Sequence, residues 1–323
     1  MLANREMEQI NSEALKALQF ERLHKTLEWA YSKSSFYRNK FDESECAPQQ
    51  FESLTDIEKF PFTMSKELQQ VSAMDLLTLP LSGVARISLW EHPQPTVHMY
   101  TINDIAANVE MTSRVLTAAG ISRASIVGLL GDMADSGLFD AQQALEAIGA
   151  AAVPLSTDYE RTLKLLEAAH VDTIIGSARR ILRLVIQLQA SGLEISNFPL
   201  HKILCLNETL QNPLKMHLEK RTGTEVYDLF SSAEFGCIGM FFQCEGHVGQ
   251  HIQQDYFYPE IVAFGGNEVI HEFNCMGELV LTTLTAEAMP LIRYRTGQAV
   301  MITDEPCTCG RTFVRIITPM SNF

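Results

Sequence analysis

Four residues in this chain have the types and spacing of a metal clamp. Cys307-Thr308-Cys309 is a tight pair of sulfur donors, and Cys244 with His251 makes a second pair on another segment. Structural zinc takes four closed sulfur and nitrogen ligands in a tetrahedron. A Cys₃His set of this kind would pin the chain together rather than activate water. His247 competes with His251 for the nitrogen position, and the plain alternative is a group of reduced, partly buried thiols. Cys46, Cys205, Cys237 and Cys275 show no partner pattern and read as core or incidental.

Two arginines form a second constellation. Leu279–Thr283 alternates and is β-branched, so it reads as a strand; Pro290 punctuates, and Leu291–Arg295 reads as another. Arg293 and Arg295, two residues apart on a strand, would point to one face. Either that face is solvated or salt-bridged, or it is an edge for anions and nucleotides, since guanidinium forks suit phosphate and carboxylate.

The elements that must position these groups fall into three sections, 1–75, 76–230 and 231–323, within one compact domain. Leu15, Leu18, Leu23, Leu27 and Tyr31 predict an amphipathic helix over 11–32. Ser12 is its candidate cap, and Leu15 three positions on rules out a capping box. Ser32–Tyr37 breaks it, a polar segment follows to Gln50, and Thr63 is placed to cap a helix over Ser65–Ser72. This opening section reads as scaffold.

From Ala124, strands and helices alternate: Ser125–Leu130, Ala151–Leu155, Thr173–Ile175, Lys202–Leu206 and Glu225–Phe230 as strands, with helices between them, one over Tyr159–Ala169. That alternation predicts an α/β fold with a doubly wound parallel sheet. Ligands of such sheets sit beyond the carboxyl ends of the strands, here Gly131, Thr157, Gly176, Asn207 and Ser231. After Ser231 the pattern is mostly antiparallel β, with Ile252–Phe264 and Val269–Phe273 among its strands and Gly265-Gly266-Asn267 as a hairpin turn.

Composition excludes some partners. The formal net charge of the 323 residues is −14, which disfavours nucleic acid and anionic membrane surfaces. The first residues lack an apolar signal core, and the longest near-apolar run, Ala144–Leu155, is too short to span a bilayer. Seven irregularly spaced cysteines point to a reducing, cytoplasmic setting.

Several blocks, in order along most of the chain, carry a resemblance. They are LEWAYSKSSFYRNKF at Leu27–Phe41, DIEKFPFTMSKEL at Asp56–Leu68, YDLFSSAEFG at Tyr227–Gly236 and HIQQDYFYPEI at His251–Ile261. The closest runs from GELVLTTL through MPLIRYRTG to PCTCG, Gly277–Gly310. Together they resemble the phenylacetate–CoA ligase branch of the adenylate-forming enzymes. The resemblance implies the large N-terminal domain of that family and a two-step reaction. ATP and a carboxylate give an acyl-adenylate and pyrophosphate; coenzyme A then displaces AMP. It also implies a Ser/Thr/Gly-rich phosphate loop, an acidic magnesium ligand, an aspartate on the ribose and a lysine on a small C-terminal lid. Cysteine and histidine positions like those of the clamp recur in some members.

The family's phosphate loop, close to TSGTTGKPT, corresponds to Ser88-Leu89-Trp90-Glu91-His92-Pro93-Gln94-Pro95-Thr96. The glycines that permit a phosphate cradle are missing, Pro93 has no N–H and Glu91 would oppose a triphosphate. The resemblance assigns Glu234 to the magnesium-associated acid, with Ser231 and Glu208 beside the adenine. Gln298 stands where the family has its ribose aspartate, which trades a charge-assisted acceptor for a neutral amide. Glu234 and Arg295 take the catalytic places, Arg293 an anion-binding one. The lid and its lysine are expected to be absent, since the sequence stops at Phe323.

Two functions are therefore expected. One is a divergent homologue with little or no ligase activity alone, acting as a binding protein or as partner to an active homologue. The other is a working carboxylate-adenylating enzyme using ATP and magnesium through unusual contacts or a lid from another chain. A weaker third is a carrier of a small carboxylate in a pocket near Gly131–Gly137 and Ser231.

Overall fold

The computed structural model describes residues 1–90, 95–132, 136–156, 158–193, 195–207 and 213–318, with Ser136, Asn207 and Ser231 described by backbone only. The chain opens with the short helix α1 (Arg5–Glu8) and the long helix α2 (Ser12–Lys33). Asn11, not Ser12, caps α2: its carboxamide oxygen accepts the Ala14 N–H at 2.9 Å. The break expected over Ser32–Tyr37 is confined to Ser34, and the first part of the polar segment expected to Gln50 is instead helix α3 (Ser35–Glu43). Its Tyr37 and Phe41, one turn apart, are both fully buried, and Ser34 caps it. The helices α4 (Ser65–Leu68) and α5 (Ala73–Leu76) follow. Met64, not Thr63, stands at the cap position of α4, because the Thr63 hydroxyl donates to the Ile292 carbonyl at 2.6 Å.

Strands β1 (Arg86–Trp90) and β2 (Thr96–Tyr100) pair in a two-stranded sheet, and helix α6 (Ile102–Ala118) comes next. The alternating region gives β3 (Ile126–Leu130), α7 (Ser136–Ile148), β4 (Ala151–Leu155), α8 (Tyr159–Ala169), β5 (Thr173–Ser177), α9 (Ala178–Ala190), β6 (Lys202–Asn207), α10 (Lys215–Thr222) and β7 (Glu225–Ser232). The last part is all strand: β8 (Cys237–Phe242), β9 (Gln250–Ile252), β10 (Phe257–Val262), β11 (Met276–Thr283), β12 (Tyr294–Thr303) and β13 (Arg315–Ile317).

These elements belong to two compact units. One is formed by 1–3, 88–96 and 108–248, the other by 4–87, 97–107 and 249–323. In the first unit the strand order is β4-β3-β5-β6-β7, every pair parallel, and β8 joins β7 antiparallel. The α/β reading with a parallel sheet is thus what the fold shows. Leu166 of α8, Ile181, Leu184 and Leu188 of α9 and Leu218 of α10 bury against Ile174 and Ile203 of the sheet. Gly176 is required by the close ladder, because a Cβ there would lie 2.6 Å from the Leu130 carbonyl oxygen.

In the second unit β10-β11-β12-β13-β9 pair antiparallel throughout, with a bulge in β11 between Glu278 and Val280. The expected strand Ile252–Phe264 divides into β9 and β10 at a turn closed by Tyr256 N–H to the Gln253 carbonyl, 2.9 Å. Gly265-Gly266-Asn267 does turn the chain: the Ala263 N–H reaches the Glu268 carbonyl at 2.9 Å. Beyond it only Val269 is bridged, to Val262, so the strand expected over Val269–Phe273 is not formed. The N-terminal helical section shares its core with this β section. Leu23, Leu27, Tyr37, Phe41 and Phe60 pack in one cluster with Leu284 and Ile292. Among the described residues, no helix is long and apolar enough to cross a membrane.

Candidate metal centre and nucleotide positions

His251 sits at the middle of β9, fully buried, and its Nδ1 lies 2.9 Å from the Phe313 carbonyl oxygen. A carbonyl only accepts, so Nδ1 donates in this bond, which leaves Nε2 as the nitrogen that faces the cysteines. That Nε2 lies 3.3 Å from the Cys309 sulfur. Cys307 and Cys309 share a tight turn that closes with the Gly310 N–H on the Cys307 carbonyl at 3.0 Å, Gly310 taking φ +80°. Cys244 lies on the segment leading out of β8, buried, with the Gly246 N–H directed at its sulfur at 3.4 Å. The ligand atoms of Cys244, His251, Cys307 and Cys309 all lie within 4.8 Å of one another.

This donor set fits zinc. Spokes of about 2.0–2.3 Å give tetrahedral edges of roughly 3.3–3.8 Å, the range of the Cys309–His251 separation. The bond from His251 Nδ1 to a backbone carbonyl is the usual outer-sphere support of a ligating imidazole. Four protein ligands leave no open position, so a bound zinc would serve structure. His247, the competing candidate, is exposed, takes φ +50° and lies with its ring 4.7 Å from Tyr227. The seven cysteines form no disulfide.

The two arginines do not form a common strand face. Arg293 precedes β12 and takes a left-handed backbone, φ +47°, so the period-two alternation stops there. Its guanidinium meets Glu260 through Nε at 3.1 Å and Nη2 at 2.8 Å, gives Nη1 to the carbonyls of Glu58 and Phe60, and lies over the Phe62 ring at 4.0 Å. Arg295, in β12, pairs with Glu278 at 2.9 Å through Nε, donates to the Gly266 carbonyl at 3.0 Å and shares the Phe62 ring at 5.1 Å. Both forks answer carboxylates and carbonyls of their own chain. Burial pushes the Glu260 carboxyl up, and the Arg293 charge pulls it back.

The remaining positions lie at the carboxyl end of the parallel sheet and on β12. Ser231 is the penultimate residue of β7, and Glu234 sits on the turn after the strand, its carboxylate accepting the Ser232 hydroxyl at 2.6 Å. Gln298 is half-buried on β12 and donates its N–H to the Thr296 hydroxyl at 3.2 Å. Ser88, Leu89 and Trp90 continue β1 instead of opening a loop. Glu91, His92, Pro93, Gln94, Thr157, Glu208 and part of the Gly131–Gly137 segment lie outside the described residues.

Sequence reading missed one group. Asp104 accepts the N–H groups of Glu287 at 2.7 Å, Ala288 at 3.1 Å and Thr101 at 2.9 Å, which ties the start of α6 to the segment before Pro290. The local sign was Thr101-Ile-Asn-Asp104, a capping box written in the sequence.

Comparisons with known proteins bear on the family and the fold. No protein-family profile matches the chain. It is 32% identical over 324 aligned residues to the phenylacetate-coenzyme A ligase of Thermus thermophilus, which covers 98% of this chain and 72% of that protein. It is 32% identical over 305 residues to the phenylacetate-coenzyme A ligase of Escherichia coli, covering 92% and 70%. Among solved structures, an open conformation of 2-hydroxyisobutyryl-CoA ligase, in complex with 2-HIB-AMP and CoA, superposes with a TM-score of 0.87 at 22% identity, over 96% of this chain and 70% of that one. A long-chain-fatty-acid-CoA ligase from Archaeoglobus fulgidus gives 0.53 at 13% identity, over 73% and 51%. At those identities the structural likeness shows the fold.

Proposed function

Since this chain belongs to the phenylacetate–CoA ligase family, we propose that it is a divergent member that forms little or no acyl-adenylate by itself. It acts as a binding protein, or as partner to an active homologue, in a reducing cytoplasmic setting. The observation that carries this reading is the extent of β1. Residues 88–90, where the family's phosphate loop should begin, are extended and laddered to β2. Only five residues, 91–95, remain to join the strands, and they include Glu91 and Pro93. A phosphate cradle needs convergent backbone N–H groups and glycine dihedrals; residues 88–90 are spent on the strand, and 91–95 contain two prolines and no glycine.

Two further observations support it. Gln298 gives a neutral amide to the ribose position, which costs nucleotide binding about 1–3 kcal/mol. Arg293 and Arg295 are engaged by Glu260 and Glu278. The Cys₃His set holds a structural zinc ion in this reading, with Cys244, His251, Cys307 and Cys309 as ligands and no step of chemistry assigned to the metal.

One observation favours a second reading, a working carboxylate-adenylating enzyme with an unusual nucleotide grip. Glu234 is retained, half-buried, beyond the carboxyl end of β7, where α/β sheets bind ligands. Magnesium would take its place there, neutralising triphosphate charge as pyrophosphate leaves. Isothermal titration decides between the readings. The first predicts no micromolar heat with ATP and magnesium or with AMP, and no ATP–pyrophosphate exchange with aryl or fatty acids. Micromolar binding together with exchange would establish the second.

A further inference from the structure

The loop bearing Cys307 and Cys309 has no helix or strand of its own, and it is gripped from far away in sequence. Arg311, two residues after Cys309, meets Glu8 through Nε and Oε2 at 2.5 Å, and both side chains are 1% exposed. The other Glu8 oxygen accepts the Asn4 N–H at 2.9 Å. Thr312 gives its N–H to the Glu8 carbonyl at 3.0 Å and its hydroxyl to the Ile10 carbonyl at 2.8 Å. The Gln9 amide donates to the Gly310 carbonyl at 3.1 Å. Residues 8–10 therefore bind each of the three residues that follow Cys309.

We propose that segment 4–10 is a latch on the metal loop, with Glu8 a positioning residue for Cys309, so that zinc occupancy and latch docking are thermodynamically linked. This rests on the zinc reading of the Cys₃His set. The physical argument is reciprocal. A closed zinc site needs both loop sulfurs held in one arrangement, and the latch fixes the backbone that carries them. The same arrangement keeps the Arg311 guanidinium against Glu8, and removing one member of a buried charge pair is strongly unfavourable. If docking raises zinc affinity, zinc must raise docking by the same factor. The partners are 303 residues apart, so no local signal in the sequence announces the pair.

The test uses the full chain with Zn²⁺ as the probe. Zinc content and dissociation constant are measured by metal analysis and chelator competition for the parent protein, Glu8→Gln, Gln9→Ala and the control Glu13→Gln on the exposed side of α2. Amide exchange of residues 4–12 is followed with zinc bound and after EDTA. The latch predicts zinc affinity about tenfold weaker in Glu8→Gln, a smaller weakening in Gln9→Ala, none in the control, and loss of protection over 4–12 when zinc is stripped. Gln9 is exposed, so its variant keeps the test open if Glu8→Gln does not fold. Equal affinities with protection that ignores zinc overturn the latch while leaving the zinc site standing. A protein that neither contains nor takes up zinc overturns both.

Discussion

Glu260 receives Arg293 through two parallel bonds, with the two side chains 3% and 2% exposed. The fork that looked suited to a nucleotide phosphate is closed on a carboxylate of β10, and the Phe62 ring covers its face.

Replacing Arg293 should therefore cost stability. Arg293→Ala leaves a buried carboxylate and the Glu58 and Phe60 carbonyls without their donor, a loss of about 3–5 kcal/mol. Arg293→Lys keeps the charge and loses the planar fork, so a substantial part of that cost remains. Urea unfolding of both variants measures it. Unchanged midpoints together with lost ATP binding would return Arg293 to a ligand role.

Metal analysis of the purified protein should give one zinc per chain. Cys309→Ser should lower that content, and EDTA should lower the thermal midpoint by about 3 °C or more, on the order of 2 kcal/mol. An EDTA-treated sample with the melting curve of the untreated one would remove zinc from the account.

Gln298→Asp restores a carboxylate at the ribose position. AMP affinity should rise about tenfold, the worth of one charge-assisted bond over a neutral one. Adenylate formation should not return with it, because β1 still runs through residues 88–90. An active Gln298→Asp protein would make position 298, rather than the phosphate segment, the decisive lesion.

Tyr37 supplies an alkaline signature. Burial pushes its phenol up to about 12 from 10.0, while its bonds with Thr63 and Ile292 oppose the shift. The unfolded phenol ionises first, so this contribution is complete below pH 10 and is lost as pH rises toward 12. Urea midpoints at pH 9, 10 and 11 should fall faster for the parent than for Tyr37→Phe. Parallel slopes would show that Tyr37 does not titrate in this way.

The alternating half of the chain was legible because each period is local. The helix expected over Tyr159–Ala169 and the strand over Ala151–Leu155 are found at those residues. Helix α6 was not seen, because Asn108, Thr112, Ser113 and Arg114 are buried on it and dilute the apolar stripe that marks a helix. The grouping of Cys244, His251, Cys307 and Cys309 was legible from residue type and spacing, and it is His251, not the exposed His247, whose ring lies among the three sulfurs. The left-handed backbone of Arg293 was not, since its neighbours are as β-prone as those of a regular strand. What was missed at the site depends on pairs hundreds of residues apart, such as Glu8 with Arg311.

The sharing of one core by the N-terminal helices and the C-terminal strands also bears on how the chain is made. Tyr37 waits for the Ile292 N–H across 255 residues. At ribosomal speeds of 5–20 residues per second, that interval is about 13 to 50 seconds. Throughout it Leu23, Leu27 and Phe41 have no strand to bury against, while the parallel sheet between them is synthesised and can fold. Until the β section emerges, the apolar faces of α2 and α3 stay uncovered, the condition under which a nascent chain is most exposed to aggregation.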